Sequence, residues 1–391
     1  MKNIKNILTL GFSLAMSISL HACEKPIGKN QKETAPLALR QDAAPTVEKH
    51  QIRVALLLDT SNSMDGLINQ AKAQLWEIVN ELSYAKCGTA KPNLQIGLYE
   101  YGNDGLSSHE GYIRQVIGFT DDLDAISERL FSLTTNGGSE FCGHVIQTSV
   151  NQLDWGNSAD DLNLIFIAGN EPFTQGRIDY RDAISGAKEK DIVINTIFCG
   201  NYDQGISGNW RDGAMRGNGD YMVIDQNQEI VHITTPYDDV ILKLNKKLNH
   251  TYIPYGHYGS SKSAMQRSED ANAQSMNEAV AVKRAVSKSS RLYKNKKWDL
   301  VDAAEDDESV LEEVEVEELP EALKGKSKEE LKRYVTEKSE ERQKIQKEIQ
   351  ELNKKRQAYI TAQQKEQQKD VLDNVMINAI KKQAKRKNYS W

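Results

Sequence analysis

Between residues 51 and 250 the chain alternates two hydrophobic patterns. One is the short, nearly unbroken apolar run. The first of these, 51–59 (QIRVALLLD), predicts a strand, and 94–101 (LQIGLYEY), 112–119, 162–168 (LNLIFIA), 192–199 (IVINTIFC) and 221–225 predict five more. The other pattern places apolar residues three or four positions apart. Over 65–82, Leu67, Ile68, Ala71, Leu75, Ile78, Val79 and Leu82 fall on one helical face. Further helices are predicted at 121–133, with acids at its start where the helix dipole favours them, at 139–153 after Gly137 and Gly138, at 180–190 and at 238–248. Strands apolar on both faces and separated by helices belong in a mostly parallel sheet with helices on both sides, a doubly wound α/β fold.

After residue 250 the pattern changes. Residues 251–300 are polar with weak helical patches, and 302–321 hold eleven acids and no Lys or Arg. The span 251–326 is therefore expected to be a polar, acidic linker. Ser327-Lys328-Glu329-Glu330 then forms a capping-box pattern that opens a long helix. Leu331, Val335, Ile345, Ile349, Leu352 and Tyr359 lie on its near-heptad stripe, interrupted by Lys338, Arg342 and Arg356. With a second amphipathic piece at 371–380, residues 327–391 read as an all-α, partly coiled-coil region through which self-association is one expectation.

The other end has Lys2 and Lys5, an apolar run over 7–20, and then Leu20-His21-Ala22-Cys23, the pattern of a secretory signal over residues 1–22. The run is too short for a membrane span. The Cys after a small residue resembles a bacterial lipobox. That resemblance implies lipidation at Cys23, and Glu24 in place of Asp implies the outer rather than the inner membrane. Residues 23–50, with three prolines and no periodicity, read as a tether, and 51–250 as the folded domain.

The whole chain has 391 residues, 39% hydrophobic and 27% charged, with a net charge of −6, so no basic excess draws it to nucleic acid. Beyond Cys23 there are Cys87, Cys142 and Cys199. Export permits a disulfide, three cysteines leave one over, and sequence does not fix the pairing. Cys142 opens a helix and Cys199 ends a strand at the same sheet edge, so Cys142–Cys199 is the expected bridge.

In such sheets ligands sit beyond the carboxyl ends of the strands. Asp59, Ser61 and Ser63 follow the first strand in that position, and Gly169-Asn170-Glu171 follow 162–168. Asp-x-Ser-x-Ser between an apolar strand and an amphipathic helix resembles the metal-ion-dependent adhesion site of the von Willebrand factor type A (vWA) family. The resemblance spans residues 51–250. It implies that Ser61 and Ser63 coordinate a divalent cation directly and that Asp59 holds it through water. The family's next ligand, a Thr after a Gly-rich turn, is matched by Ser139, with Glu140 beside it as a further oxygen. The family's Asp after the fourth strand is replaced by Gly169, leaving Asn170 and Glu171 as substitutes. Mg²⁺ is the cation implied first, with Ca²⁺ or Mn²⁺ as alternatives, because hard cations take oxygen ligands. A cation with few direct carboxylates is electron-poor and drawn to an acidic side chain of a protein partner.

These features imply a lipid-anchored envelope protein that binds a protein partner. A metal-free scaffold acting through its C-terminal helices is the alternative. A metal-dependent hydrolase would need a base, for which Glu140, Glu171, His109 and His144 are the candidates. No nucleophile elbow, His-Glu-x-x-His motif or phosphate loop occurs, so no enzyme is expected.

Overall fold

The structure is a computed structural model that describes residues 50–225, 233–363 and 372–391. The signal segment, Cys23 and the tether up to residue 49 lie outside the described residues. Six strands form one sheet in the order β4-β3-β1-β5-β6-β7. They are β1 (Gln51–Asp59), β3 (Asn93–Tyr101), β4 (Ile113–Thr120), β5 (Leu162–Gly169), β6 (Ile192–Cys199) and β7 (Asn218–Ile224). All neighbours run parallel except β4, which is antiparallel to β3 at one edge. A separate two-stranded ribbon pairs β2 (Lys86–Cys87) with β8 (Tyr389–Ser390).

The alternation of a strand's side chains between faces builds two cores. Ile52, Val54, Leu56 and Leu58 of β1 join α1 (Asp65–Ser83) and α2 (Leu123–Phe131) on one face. Ala55 and Leu57 join α3 (Cys142–Gln152), α4 (Tyr180–Glu189) and Trp210 on the other. Short helices α5 (Tyr202–Ser207) and α6 (Trp210–Arg216) follow β6, and α7 (Asp238–Asn249) follows β7. Two boundaries differ from expectation. β7 starts at Asn218 rather than 221, and α3 starts at Cys142 rather than 139, because residues 134–141 are spent on a loop that reaches back to the ends of β1 and β3.

The linker expected at 251–326 is instead folded. It contains α8 (Gly259–Met276), α9 (Glu278–Lys288), α10 (Leu300–Asp306) and α11 (Val310–Glu313). α9 is buried along most of its length and packs on α1 and α7. Its Arg284, Ser287 and Lys288 side chains are buried. Arg284 donates to Asp124 of α2 at 2.7 Å and to Asp270 of α8 at 2.6 Å, and its guanidinium lies over the Trp76 ring. Lys288, fully buried, reaches Asp270 at 2.9 Å. Desolvation pulls the Lys288 ammonium down to about 8 against the opposing pull of Asp270.

The long helix α12 (Lys328–Gln363) begins with the expected capping box: the Ser327 N–H donates to Glu330 Oε2 at 2.9 Å, and the Glu330 N–H donates to Ser327 Oγ at 3.2 Å. Its apolar stripe faces α7, α9, α10 and α11 of the same chain rather than a second long helix. This corrects the coiled-coil expectation, and the residues that broke the heptad explain why. Arg342 is buried and donates to Asp299 at 2.6 Å and to Asp302 at 2.9 Å, and Arg356 donates to Asp238 of α7 at 2.9 Å. α13 (Leu372–Ala384) and β8 then pack against α1, β7 and β2, at the end of the sheet opposite the carboxyl ends of the parallel strands.

Candidate functional site

Asp59 ends β1 at the centre of the sheet and is fully buried. The chain then turns sharply. The Ser61 N–H donates back to Asp59 Oδ1 at 2.8 Å, and the Thr60 N–H ties the turn to the Tyr101 carbonyl at the end of β3 at 2.9 Å. The turn sets Ser61 Oγ and Ser63 Oγ side by side, 3.4 Å apart. Asn170, just past β5, donates from Nδ2 to Ser63 Oγ at 3.0 Å, so the loop after β5 does reach the hydroxyls.

The third loop, between α2 and α3, docks on the first. The Asn136 N–H donates to the Thr60 carbonyl and the Asp104 N–H to the Gly137 carbonyl, and Thr135 Oγ1 donates to Asp65. This brings Glu140 beside Asp59. Glu140 is 4% exposed, although no cationic side chain pairs with it among the described residues. Its own N–H donates to Gln175 Oε1 at 3.3 Å, and Gln175 Nε2 donates to Glu171 Oε2 at 3.1 Å. Ser139 is half-buried next to Glu140, and Glu171 is exposed at the mouth.

The electrostatics follow from this placement. Asp59 Oδ2 is buried with no N–H or hydroxyl donor, and the Glu140 carboxyl lies within hydrogen-bonding reach of Asp59. Burial pushes the Asp59 carboxyl up, against the pull of the Ser61 N–H. Burial and then the Asp59 charge push Glu140 up further, and Glu171 adds a smaller push to both. Two adjacent carboxyls out of water need either a shared proton or a cation.

Two glycines frame the pair. A Cβ on Gly102, whose φ is +78°, would lie 2.7 Å from Glu140 Cγ and 2.8 Å from Asp59 Oδ1. A side chain there would displace Glu140. A Cβ on Gly169 would lie 2.6 Å from Tyr101 Oη, 3.1 Å from Asp59 Oδ2 and 3.2 Å from Trp210 Cη2. Tyr101 Oη is fixed by donation to the Ala168 carbonyl at 2.9 Å, and Trp210 Nε1 by donation to the Glu171 carbonyl at 2.8 Å. The place where the family's Asp would stand is bounded by these two buried, hydrogen-bonded aromatic side chains.

The expected disulfide does not form. Cys142 and Cys199 are both free and buried. They share a rim but point into cores on opposite faces of the sheet, Cys142 beside Tyr101 and Cys199 among the α1-side residues. Of the hydrolase candidates, His109 is exposed on a short turn, and the His144 ring packs against Gly111, where burial lowers its pKa.

The oxygens of Asp59, Ser61, Ser63 and Glu140 suit a hard divalent cation. Among the described residues no group of three or more His, Cys, Asp or Glu could hold a metal, so hydroxyls have to contribute. Sequence reasoning named Glu140 only as an accessory. It missed Gly102, Tyr101, Trp210 and Gln175, whose roles depend on which loops meet.

Residues 54–205 match the von Willebrand factor type A domain family, so the chain carries a vWA domain. No curated protein matches the chain. Among solved structures, one similar chain is proximal thread matrix protein 1 from the mussel byssus with a zinc-occupied MIDAS motif: 13% identity, TM-score 0.34, covering 45% of this chain and 42% of that one. A von Willebrand factor type A protein from Catenulispora acidiphila is 17% identical with TM-score 0.34, covering 45% and 39%. The pilus adhesin SpaC from Lactobacillus rhamnosus GG is 10% identical with TM-score 0.34, covering 46% and 28%. The chain spans less than half the length of the mussel proteins, 41–46%. Among the described residues no helix is long and apolar enough to cross a membrane.

Proposed function

We propose that this protein is a non-enzymatic binding module held at the cell envelope by a lipid on Cys23, whose vWA domain engages a protein partner through a divalent cation. The observation that carries the reading is Asp59: fully buried, with no N–H or hydroxyl donor to Oδ2, against a second buried carboxyl and beside two hydroxyls 3.4 Å apart. A cation bound there supplies an electrophilic centre for an oxygen of the partner. The chain's own residues do the rest. Asp59 and Ser61 hold the first loop in shape, Asn170 positions Ser63, and Gln175 ties Glu140 to Glu171 at the mouth. The envelope location rests on the pattern of the first 24 residues. The metal-free scaffold has less support, because Leu331, Val335, Ile345 and Ile349 of the α12 stripe are covered by the chain's own helices.

The test is titration calorimetry of the full chain with Mg²⁺, Mn²⁺ and Ca²⁺, beside Asp59→Ala and Ser61→Ala. Binding in the wild type that disappears in both variants is the expected result. A wild type that binds none of the three at millimolar concentration would end the reading.

A further inference from the structure

We propose that Tyr112 and Phe141 form an aromatic shelf beside the cation site, on which the partner packs a ring next to its coordinating acid, so that the segment recognised is an Asp or Glu flanked by an aromatic residue. This rests on the cation reading above and adds a second contact, outside the site, to the acid that the cation takes.

The first observation is backbone strain at the rim. Tyr112 stands in the left-handed region with φ of +57°. The other non-glycine residues there, among the described residues, are Asp191, Asn209, Asn218 and Asn388. Their short polar side chains can bond locally and tolerate that backbone, whereas a tyrosine's Cβ crowds the following carbonyl with no such return. Strain of this kind persists only where the surroundings hold it. Here both ends of the residue are held. The Tyr112 N–H donates to the Ser107 carbonyl at 3.0 Å, and the Tyr112 carbonyl accepts from the Gly102 N–H at 3.0 Å. Gly102 is the glycine that lies against Glu140 and Asp59, so the main chain of Tyr112 is one hydrogen bond from the site.

The second observation is where the ring goes. Tyr112 is half-buried, and among the described residues no hydrogen bond holds its hydroxyl. Its ring meets Phe141 edge-on, with centroids 5.9 Å apart and planes at 63°. Phe141 directly follows Glu140 and is half-buried as well. Behind it lies Gly176, with φ of +96°, where a Cβ would stand 2.9 Å from the Phe141 ring. Gly176 in turn follows Gln175, which ties Glu140 to Glu171 at the mouth. The two rings are thus wedged between the loop after β3 and the loop after β5, continuous with the residues that frame the cation. Tyr101 and Trp210 differ in both respects: they are fully buried, and their polar atoms are spent on the carbonyls of Ala168 and Glu171. Tyr112 and Phe141 keep part of their surface in water, and Tyr112 keeps a hydroxyl to offer. Rings in that position favour offset or edge contacts with a further ring.

The experiment uses the full chain loaded with Mn²⁺ and two blocked tripeptides, Phe-Asp-Phe and Ala-Asp-Ala. Each is titrated by calorimetry into wild type, Tyr112→Gly and Phe141→Ala, with Mn²⁺ affinity and thermal melting measured for all three proteins. Wild type should bind Phe-Asp-Phe roughly tenfold more tightly than Ala-Asp-Ala. Both variants should lose most of that preference while keeping wild-type affinity for Mn²⁺ and for Ala-Asp-Ala. Tyr112→Gly should melt no lower than wild type, since release of the left-handed strain offsets the lost ring contact. Equal binding of the two peptides by Mn²⁺-loaded wild type, or binding of neither, would overturn the shelf and leave the cation reading intact. A preference that survives in both variants would overturn it as well. Loss of the preference together with Mn²⁺ affinity in both variants would show that the rings prop the site rather than meet a partner, and would also overturn it. A wild type that binds no Mn²⁺ would remove the cation reading and the shelf together.

Discussion

Buried charge is handled in opposite ways at the two ends of this molecule. Where α8, α9 and α12 pack on the domain, every one of the deep cations meets carboxylates: Arg284 with Asp124 and Asp270, Lys288 with Asp270, Arg342 with Asp299 and Asp302, Arg356 with Asp238. At the rim, Asp59 and Glu140 are as deeply buried, and among the described residues no side-chain cation pairs with either. The first set is complete as it stands, while the second is left for something from outside. The contrast separates buried charge that fixes a fold from buried charge that is kept for a ligand, without reference to any motif.

The largest effect expected from testing this contrast is at the paired end. Arg342→Met leaves Asp299 buried without its cation and Asp302 with only Lys294 at 3.5 Å, and urea denaturation should show a loss of about 3–5 kcal/mol. At the rim the sign changes. Asp59→Asn removes a charge that no side-chain cation pairs with among the described residues and keeps an oxygen for the Ser61 N–H, so the cation-free protein should lose little stability. The gain that saturating cation gives the wild type, about 2.7 kcal/mol at a hundred times the dissociation constant, should vanish from thermal melts of the variant. The pH dependence of the cation-free protein sharpens the comparison further. The folded pKa of Glu140 is raised above its unfolded value, so between them the folded state holds a proton that the unfolded chain has released. Stability should therefore fall as pH rises from about 4.5 toward about 9, and Glu140→Gln should flatten that slope in denaturation measured with chelator. The smallest effect should come from an exposed polar contact: Ser327→Ala removes one arm of the capping box and should cost about 1 kcal/mol by the same denaturation measurement.

How much of this was readable in the sequence depended on how local each signal is. The sheet was legible because strands covered on both faces leave unbroken apolar runs, as in Leu162–Gly169, where every residue is buried. The first loop was legible because Asp59, Ser61 and Ser63 are neighbours in the chain. Glu140 was visible only as the residue after Ser139, since its importance comes from contact with Asp59 across Gly102. The helical layer was misread for a related reason. Hydrophobic periodicity assigns Arg284, Lys288, Gln266 and Arg342 to solvent, yet each is buried here with a polar partner far along the chain. A buried ion pair looks from the sequence like two surface residues. The disulfide expectation failed on orientation: strand and helix ends gave the right rim for Cys142 and Cys199 but not the face each thiol points into.

The ribbon of β2 and β8 has a consequence for folding. Tyr389 Oη donates to the carbonyl of Gln51, the first residue of the first strand, across a separation of 338 residues. Closing a loop of that length adds only slowly to the entropic penalty, since the penalty grows with the logarithm of length. Its effect on rate is larger, because folding slows as the contacts a fold depends on lie farther apart in sequence. The segment around Tyr389 covers the amino-terminal edge of the central sheet, at Gln51 and Asp160. In any state in which that segment is undocked, the start of the first strand is a seam left open to water.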